Sequence, residues 1–311
     1  MPPFAFFRGQ IVPLEQAKLG IMTHALHYGT ACFEGIRGNW NAGDQQLYLF
    51  RPDAHYERLL RSCRILKIQL PYSAQYLCDI TRQVVERCNL REDVYVRPLA
   101  YKSSETIGVR LHDLEDDFLL FVAPFGNYLD VEKGISCCIS TWRRIDDTSI
   151  PARAKITGLY VNSALAKTEA QENGFDEGIM LGQDGHISEG SGENFFLVMN
   201  GQLVTPPVSD NILVGITRQT VMQMAKDELG IATVERSIDR SEPYVADECF
   251  LTGTAAHLSP VVSLDRRPIG NGQIGPVTSR LQALYFDVVR GKVDKYRSWC
   301  VPAFPKPVPS P

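Results

Sequence analysis

Three groups of residues have the types and spacing to do chemistry. Lys155 stands in "PARAKITGLYVNS" at 151–163, after small residues and two positions from Arg153. An amine acts as a nucleophile only after losing its proton, which needs partial burial or cationic neighbours. Glu189 lies between Ser188 and Gly190 in "SEGSGEN". A carboxylate in a glycine-rich turn can approach a flat ligand closely, because no Cβ intervenes. Residue types alone leave open that Lys155 is a solubility charge and Glu189 an ordinary turn carboxylate.

The third group is "YVRPLAY" at 95–101, where strand period 2 puts Tyr95 and Arg97 on one face. An arginine in an otherwise apolar strand either pairs with a buried carboxylate or receives one from a ligand. Gly215, Ile216 and Thr217 open a helical pattern, "VGITRQTVMQMAK", whose first N–H groups favour an anion or are merely capped. "LTGTAA" at 251–256 is a strand ending in a glycine turn flanked by hydroxyls. His24 and His27 have no evident third metal ligand, so packing or hydrogen bonding is the simpler reading and no metal is expected. Nucleotide fingerprints and a G-x-S-x-G nucleophile turn are absent.

These residues need elements to position them. "PDAHYERLLRSCRILKI" places Tyr56, Leu59, Leu60, Cys63 and Leu66 at helical spacing, and "SAQYLCDITRQVVERC" follows with Ser73 as N-cap. Strands are expected at "DVYVRPLAY", "DFLLFVAPF" and "GISCCISTW", with "FGNYLDVEKG" as the crossing between domains. The second half reads as a helix over roughly "TGLYVNSALAKTEAQEN", just after Lys155 and closed by Gly174, then the strand "EGIMLG". A hairpin follows at Asn200-Gly201, then the helix "ITRQTVMQMAKDELG", the strand "DECFLTG" and the helix "GPVTSRLQALYFDVV". Strands joined by hairpins with helices between them indicate an α+β fold. The expected division is a small domain at 1–124, a loop at 125–134, a large domain at 135–295 and a flexible proline-rich tail at 296–311.

The chain has 311 residues, 44% hydrophobic and 22% charged, with a net charge of −4. That size suits two domains, and the charge gives no reason to expect nucleic acid or an anionic membrane as partner. No apolar run reaches membrane-span length, and the start of the chain lacks the order of a signal peptide. Eight cysteines without C-x-x-C or zinc spacing fit a reduced, cytoplasmic protein.

Taken together, "THALHYGTACFEGIR", "YVRPL", "PARAK..GLYVNSALA", "GFDEGIMLGQDGHISEGSGENFF", "PPVSDNILVGITR" and "ADECFLTGTAAHLSPV" resemble the class IV aminotransferases (fold type IV), and most of all the branched-chain amino-acid aminotransferases. The likeness runs from about residue 5 to 290, and six motifs in order make it specific. It implies a two-domain fold with a smaller N-terminal α/β domain and a larger β-rich one. It also implies pyridoxal 5′-phosphate as cofactor. Lys155 would carry the cofactor covalently and move the proton between Cα and C4′, while Glu189 would keep the pyridine nitrogen protonated. Arg58 would hold the phosphate with Ile216, Thr217 and Thr254; Tyr160 would meet the phenolic oxygen and Leu213 the ring.

The same resemblance maps the substrate pocket. Tyr95 and the Gly253–Ala255 turn would take the α-carboxylate, with Ala255 included, and Arg97 the side-chain carboxylate of glutamate. Phe33, Phe125 and Tyr128 would form apolar walls, with Tyr28 reaching in from a partner subunit of a homodimer or higher assembly. The implied reaction moves the amino group of L-leucine, L-isoleucine or L-valine to 2-oxoglutarate in two half-reactions. Relatives acting on D-amino acids or (R)-amines, and the aminodeoxychorismate lyases, are alternatives within the fold; a non-catalytic cofactor carrier is one outside it. One departure is Gly158-Leu159-Tyr160, where many family members have Gly-Asn-Tyr. The stretch 102–117 is expected at the pocket rim.

Overall fold

Burial alternates along the first seven residues of the strand Val94–Lys102, with Tyr95 and Arg97 on the half-buried side. In the computed structural model, which describes residues 3–126, 129 and 132–305, this strand is central to an antiparallel sheet. Among the described residues that sheet has eight strands. Val94–Lys102 pairs with Asp116–Pro124 on one side, and with Ile36–Asn41 and Ala31–Phe33 on the other. The helices Pro52–Ile65 and Ala74–Cys88 belong to the same unit, which comprises 1–126, 154–158 and 286–311. Ser73 caps the second helix, its hydroxyl accepting the Tyr76 N–H at 3.2 Å.

The second unit comprises 127–153 and 159–285. Among its described residues nine strands form one mixed sheet. Ile187–Gly190 pairs with both Glu177–Leu181 and Asn194–Met199, so six of the strands close into a ring. Its apolar core includes Ile179, Ile187, Phe195, Leu197, Leu251 and Val261. The hairpin at Asn200-Gly201 forms with both residues at positive φ, 51° and 73°, the backbone a two-residue turn of this hand requires.

The division of the chain departs from the expected one in two places. Residues 154–158 leave the larger unit for the first, although the chain on both sides of them belongs to the second. The segment from 286 joins the first unit too, and residues 296–305 of the expected tail hold a strand and buried side chains. Cys300–Pro302 adds an edge strand to Gln46–Phe50, and Tyr296, Cys300 and Phe304 are buried. Prolines masked this strand in the sequence, yet Pro302 sits at an edge, where a missing N–H costs little. Residues 306–311 and Tyr128 lie outside the described residues. Among the described residues no helix is long and apolar enough to cross a membrane.

One core carboxyl gives the larger unit a pH signature. Glu193 is buried, 4% exposed, and burial together with the charge of Glu177 pushes it up to about 8, against the opposing Gly192 N–H and Lys167. A folded-state value above the ordinary 4.5 makes its stabilisation complete below that pH and lost as pH rises toward about 8. Urea unfolding across this range should show Glu193→Gln losing part of the wild-type decline and overtaking wild type at the alkaline end. Parallel pH profiles would refute the assignment.

Candidate active site

Lys155 does not open the helix, because its backbone is committed elsewhere. Its N–H donates to Ser62 Oγ at 3.2 Å and its carbonyl accepts the Phe33 N–H at 3.0 Å. Ile156 makes a β-bridge to Cys32, and Thr157 Oγ1 and the Gly158 N–H both donate to the Gly29 carbonyl. Helical geometry starts only with the 3-10 turn Thr157–Leu159 and continues through Tyr160–Glu172. The half-buried Lys155 amine lies 5.1 Å from the centre of the Phe33 ring.

Arg58 projects from the Pro52–Ile65 helix and is only 6% exposed. Its Nε and Nη2 donate to the two oxygens of Glu34, each at 2.7 Å, and His55 Nδ1 lies 2.7 Å from Glu34 Oε2. Burial alone would raise the Glu34 carboxyl, but the charge and hydrogen bonds of Arg58 and the hydrogen bond of His55 outweigh it, holding Glu34 down at about 2. Burial pulls His55 downward against the hydrogen bond and charge of Glu34, with the charges of Arg58 and Lys155 acting in the same direction as burial.

Arg97 answers the question its strand raised. Among the described residues it makes no ion pair; Nη2 donates to Tyr95 Oη at 3.2 Å, and buried Nε has no partner. Its guanidinium carbon lies 4.5 Å from the Phe33 ring centre and 5.1 Å from that of Tyr95. Tyr95 packs against Phe125 at 5.1 Å. Residue 35 must be glycine for this arrangement, since a Cβ there would fall 1.8 Å from Tyr95 Oη. Tyr28 accepts the Gly108 N–H at 3.2 Å. The histidines are packed: His24 is held by Thr30 and the Gly108 carbonyl, and His27 by the Ile21 carbonyl. No metal-binding cluster occurs among the described residues.

In the second unit Glu189 is 5% exposed. Arg144 Nη2 pairs with its Oε1 at 2.6 Å, while Asn194 Nδ2 at 3.1 Å and the Leu213 N–H at 3.0 Å donate to Oε2. Such a carboxylate is fixed in position and suited to a cationic or N–H partner. The helix Ile216–Leu229 starts at Gly215, which supplies no side-chain cap, and Ile216 and Thr217 are buried in its first turn. Gly215 is another close approach, because a Cβ there would meet Asn194 Oδ1 at 2.0 Å. The half-buried turn of Gly253, Thr254 and Ala255 joins the strands Glu248–Gly253 and His257–Leu264. Tyr160 begins its helix half-buried, and Leu213 is half-buried beside the Glu189 contact.

Sequence reading missed Glu34, His55, Arg144 and Asn194. Glu34 and His55 stood in quoted motifs, and the i, i+3 spacing of His55 and Arg58 was the available signal for their shared face. Arg144 carries no local signal, since its partner is 45 positions away.

The groups in each unit fit pyridoxal 5′-phosphate. The first unit has a primary amine on a fixed backbone and a buried guanidinium, suited to an aldehyde and a phosphate. The second has a helix start without a side-chain cap and a fixed buried carboxylate, suited to a phosphate and a pyridine nitrogen. A model of the family "Amino-transferase class IV" matches residues 31–264. A probable branched-chain-amino-acid aminotransferase of Aquifex aeolicus (strain VF5) is 51% identical, over 97% of each chain. The crystal structure of the branched-chain aminotransferase of Thermoproteus uzoniensis with norvaline superposes with a TM-score of 0.94 at 41% identity, over 98% of this chain and 100% of that one. A second solved relative, the T.th. branched-chain amino acid aminotransferase complexed with N-(5′-phosphopyridoxyl)-L-glutamate, gives 0.92 at 38% identity, over 97% and 99%. On this match, with the motif residues arranged as described, the chain belongs to the class IV aminotransferases.

Proposed function

We propose that this enzyme transfers the amino group of L-leucine, L-isoleucine or L-valine to 2-oxoglutarate, reversibly and in two half-reactions, using pyridoxal 5′-phosphate. The observation that carries the substrate reading is Arg97, a guanidinium without an ion pair among the described residues and laid on the Phe33 ring. The same ring borders the Lys155 amine. An apolar wall and a cation thus lie beside the reacting nitrogen, which suits a reaction taking aliphatic and acidic side chains in turn. The norvaline and phosphopyridoxyl-glutamate complexes of the two relatives agree with that pairing.

The cofactor, when bound, supplies an electron sink for the pair left when Cα loses its proton. Lys155 would hold it and would be the base that takes the substrate's Cα proton and gives it back. Its backbone anchors keep the amine in place for both transfers. Glu189 holds the proton on the ring nitrogen. Arg58, the first N–H groups of the Ile216–Leu229 helix, Thr217 and Thr254 hold the phosphate. Tyr160 would meet the phenolic oxygen and Leu213 the ring. Tyr95 and the N–H groups of the Gly253–Ala255 turn hold the α-carboxylate. Phe33, Phe125 and Tyr128 shape the apolar side.

The working unit in this reading is at least a homodimer, with the cytoplasm as its compartment. Leu19, Ile21, Met22, Leu26, Ile107 and Val109 are exposed apolar residues. Their two segments are joined by the Thr23–Glu105 bridge and the bond from the His24 N–H to the Ser104 carbonyl. Such a patch suits a second copy, and Tyr28 is tied to it through Gly108. The eight cysteines are unpaired and buried, as suits a reducing compartment.

Purified protein should show a visible band from bound cofactor that moves to the near-ultraviolet on adding L-leucine alone. Lys155→Ala should lose both the band and turnover while remaining folded. A shift produced only by D-alanine or an (R)-amine would overturn the substrate reading. Arg97→Ala should lower kcat/KM for glutamate by about 10- to 100-fold, the worth of a hydrogen bond to a charged group, with leucine much less affected. Equal losses would make Arg97 a structural residue. Ile21→Asp with Val109→Asp should convert the assembly to monomer in light scattering, and an unchanged mass would place the interface elsewhere.

A further inference from the structure

One face of the helix Pro52–Ile65 carries His55, Arg58 and Ser62, at i, i+3 and i+7, all buried. Ser62 accepts the Lys155 N–H, so this face bears directly on the reacting lysine. The other two residues converge on Glu34, which is 0% exposed and follows Phe33, whose N–H holds the Lys155 carbonyl. Glu34 grips one edge of the Arg58 guanidinium, through Nε and Nη2 at 2.7 Å each. That bidentate grip fixes the guanidinium plane and directs its opposite edge, Nη1 and the second Nη2 hydrogen. His55 Nδ1, 2.7 Å from Glu34 Oε2, limits rotation of the carboxylate.

We propose that Glu34, braced by His55, is a positioning residue for the cofactor's phosphate: it never meets the phosphate, but aims the Arg58 edge that does. This rests on the reading that Arg58 holds the phosphate. The geometry favours aiming over simple charge neutralisation. A buried arginine needing only a counter-ion is served by any nearby carboxylate, whereas here both carboxylate oxygens are spent on one edge and a third group holds the carboxylate in plane. Glu34, held at about 2, stays ionised throughout the neutral range.

The readout is the ratio of affinities of apoprotein for pyridoxal 5′-phosphate and for pyridoxal, measured by absorbance titration. Pyridoxal lacks the phosphate but keeps the aldehyde. Arg58→Gln should collapse the preference for the phosphorylated form. Glu34→Gln should reduce it by about 10- to 100-fold while leaving pyridoxal affinity unchanged, since a misaimed charged hydrogen bond is lost and no other contact is touched. Glu34→Gln added to Arg58→Gln should reduce it no further. His55→Gln leaves both charges of the Glu34–Arg58 pair in place and carries the test if Glu34→Gln does not fold; it should lower the ratio by about fivefold, less than Glu34→Gln because the grip on Arg58 itself is kept. A wild-type ratio in Glu34→Gln or in His55→Gln, equal losses for both ligands, or a further loss on the Arg58→Gln background would overturn the proposal. A wild-type ratio in Arg58→Gln would instead overturn the reading of Arg58 itself.

Discussion

The structure depends on five residues, 154–158, being held in the first unit while the chain on both sides of them belongs to the second. Hydrogen bonds to Phe33, Ser62 and Gly29 do this, from the Lys155 and Gly158 backbone and the Thr157 hydroxyl. Backbone anchoring places Lys155 through its main-chain N–H and carbonyl, so its position does not depend on the amine. It also explains why the helix starts late. A helical Lys155 would direct its N–H and carbonyl along the helix axis and lose its grip on the strand Ala31–Phe33.

Burying charge is expensive unless each charge is paired and hydrogen-bonded. Arg58 is paired with Glu34, and Glu189 with Arg144, each at 2.7 Å or less. Removing one partner from either pair would strand a charge in low dielectric, so these pairs tolerate substitution poorly. The penalty is also what holds them in one geometry. Glu193 solves the same problem differently: burial and the charge of Glu177 raise it until neutrality is favoured. Three buried carboxyls in one chain thus occupy different electrostatic settings, decided by what surrounds them.

Local signals were legible where the cause is local. Ser73 caps, Asn200-Gly201 turns, and the alternation through Tyr95 and Arg97 all follow from neighbours within a few positions. The family was legible because its motifs stand in order along most of the chain. Glu34 was hidden because it reads as one polar residue among apolar ones, and its two partners sit 21 and 24 positions away. The strand Cys300–Pro302 was hidden because its partner Gln46–Phe50 lies some 250 residues back, and composition there speaks for disorder. Long-range pairing leaves no trace in a single sequence unless the residues also carry chemistry.

The same electrostatic reasoning bears on the proposal that Arg97 serves two kinds of substrate. A guanidinium facing an aliphatic side chain would ordinarily be a desolvated, unanswered charge. Arg97 lies against the Phe33 and Tyr95 rings, and its Nη2 is already bonded to Tyr95. Ring faces attract a cation by about 0.5 to 2 kcal/mol, more when water is excluded. That is enough to make the carboxylate-free state tolerable and too little to compete with a charged hydrogen bond to the carboxylate that the proposal brings to it. A buried aspartate or glutamate in place of the rings would hold Arg97 more tightly and leave nothing for the substrate. Aromatic support, in place of a counter-ion, is therefore what keeps the arginine available.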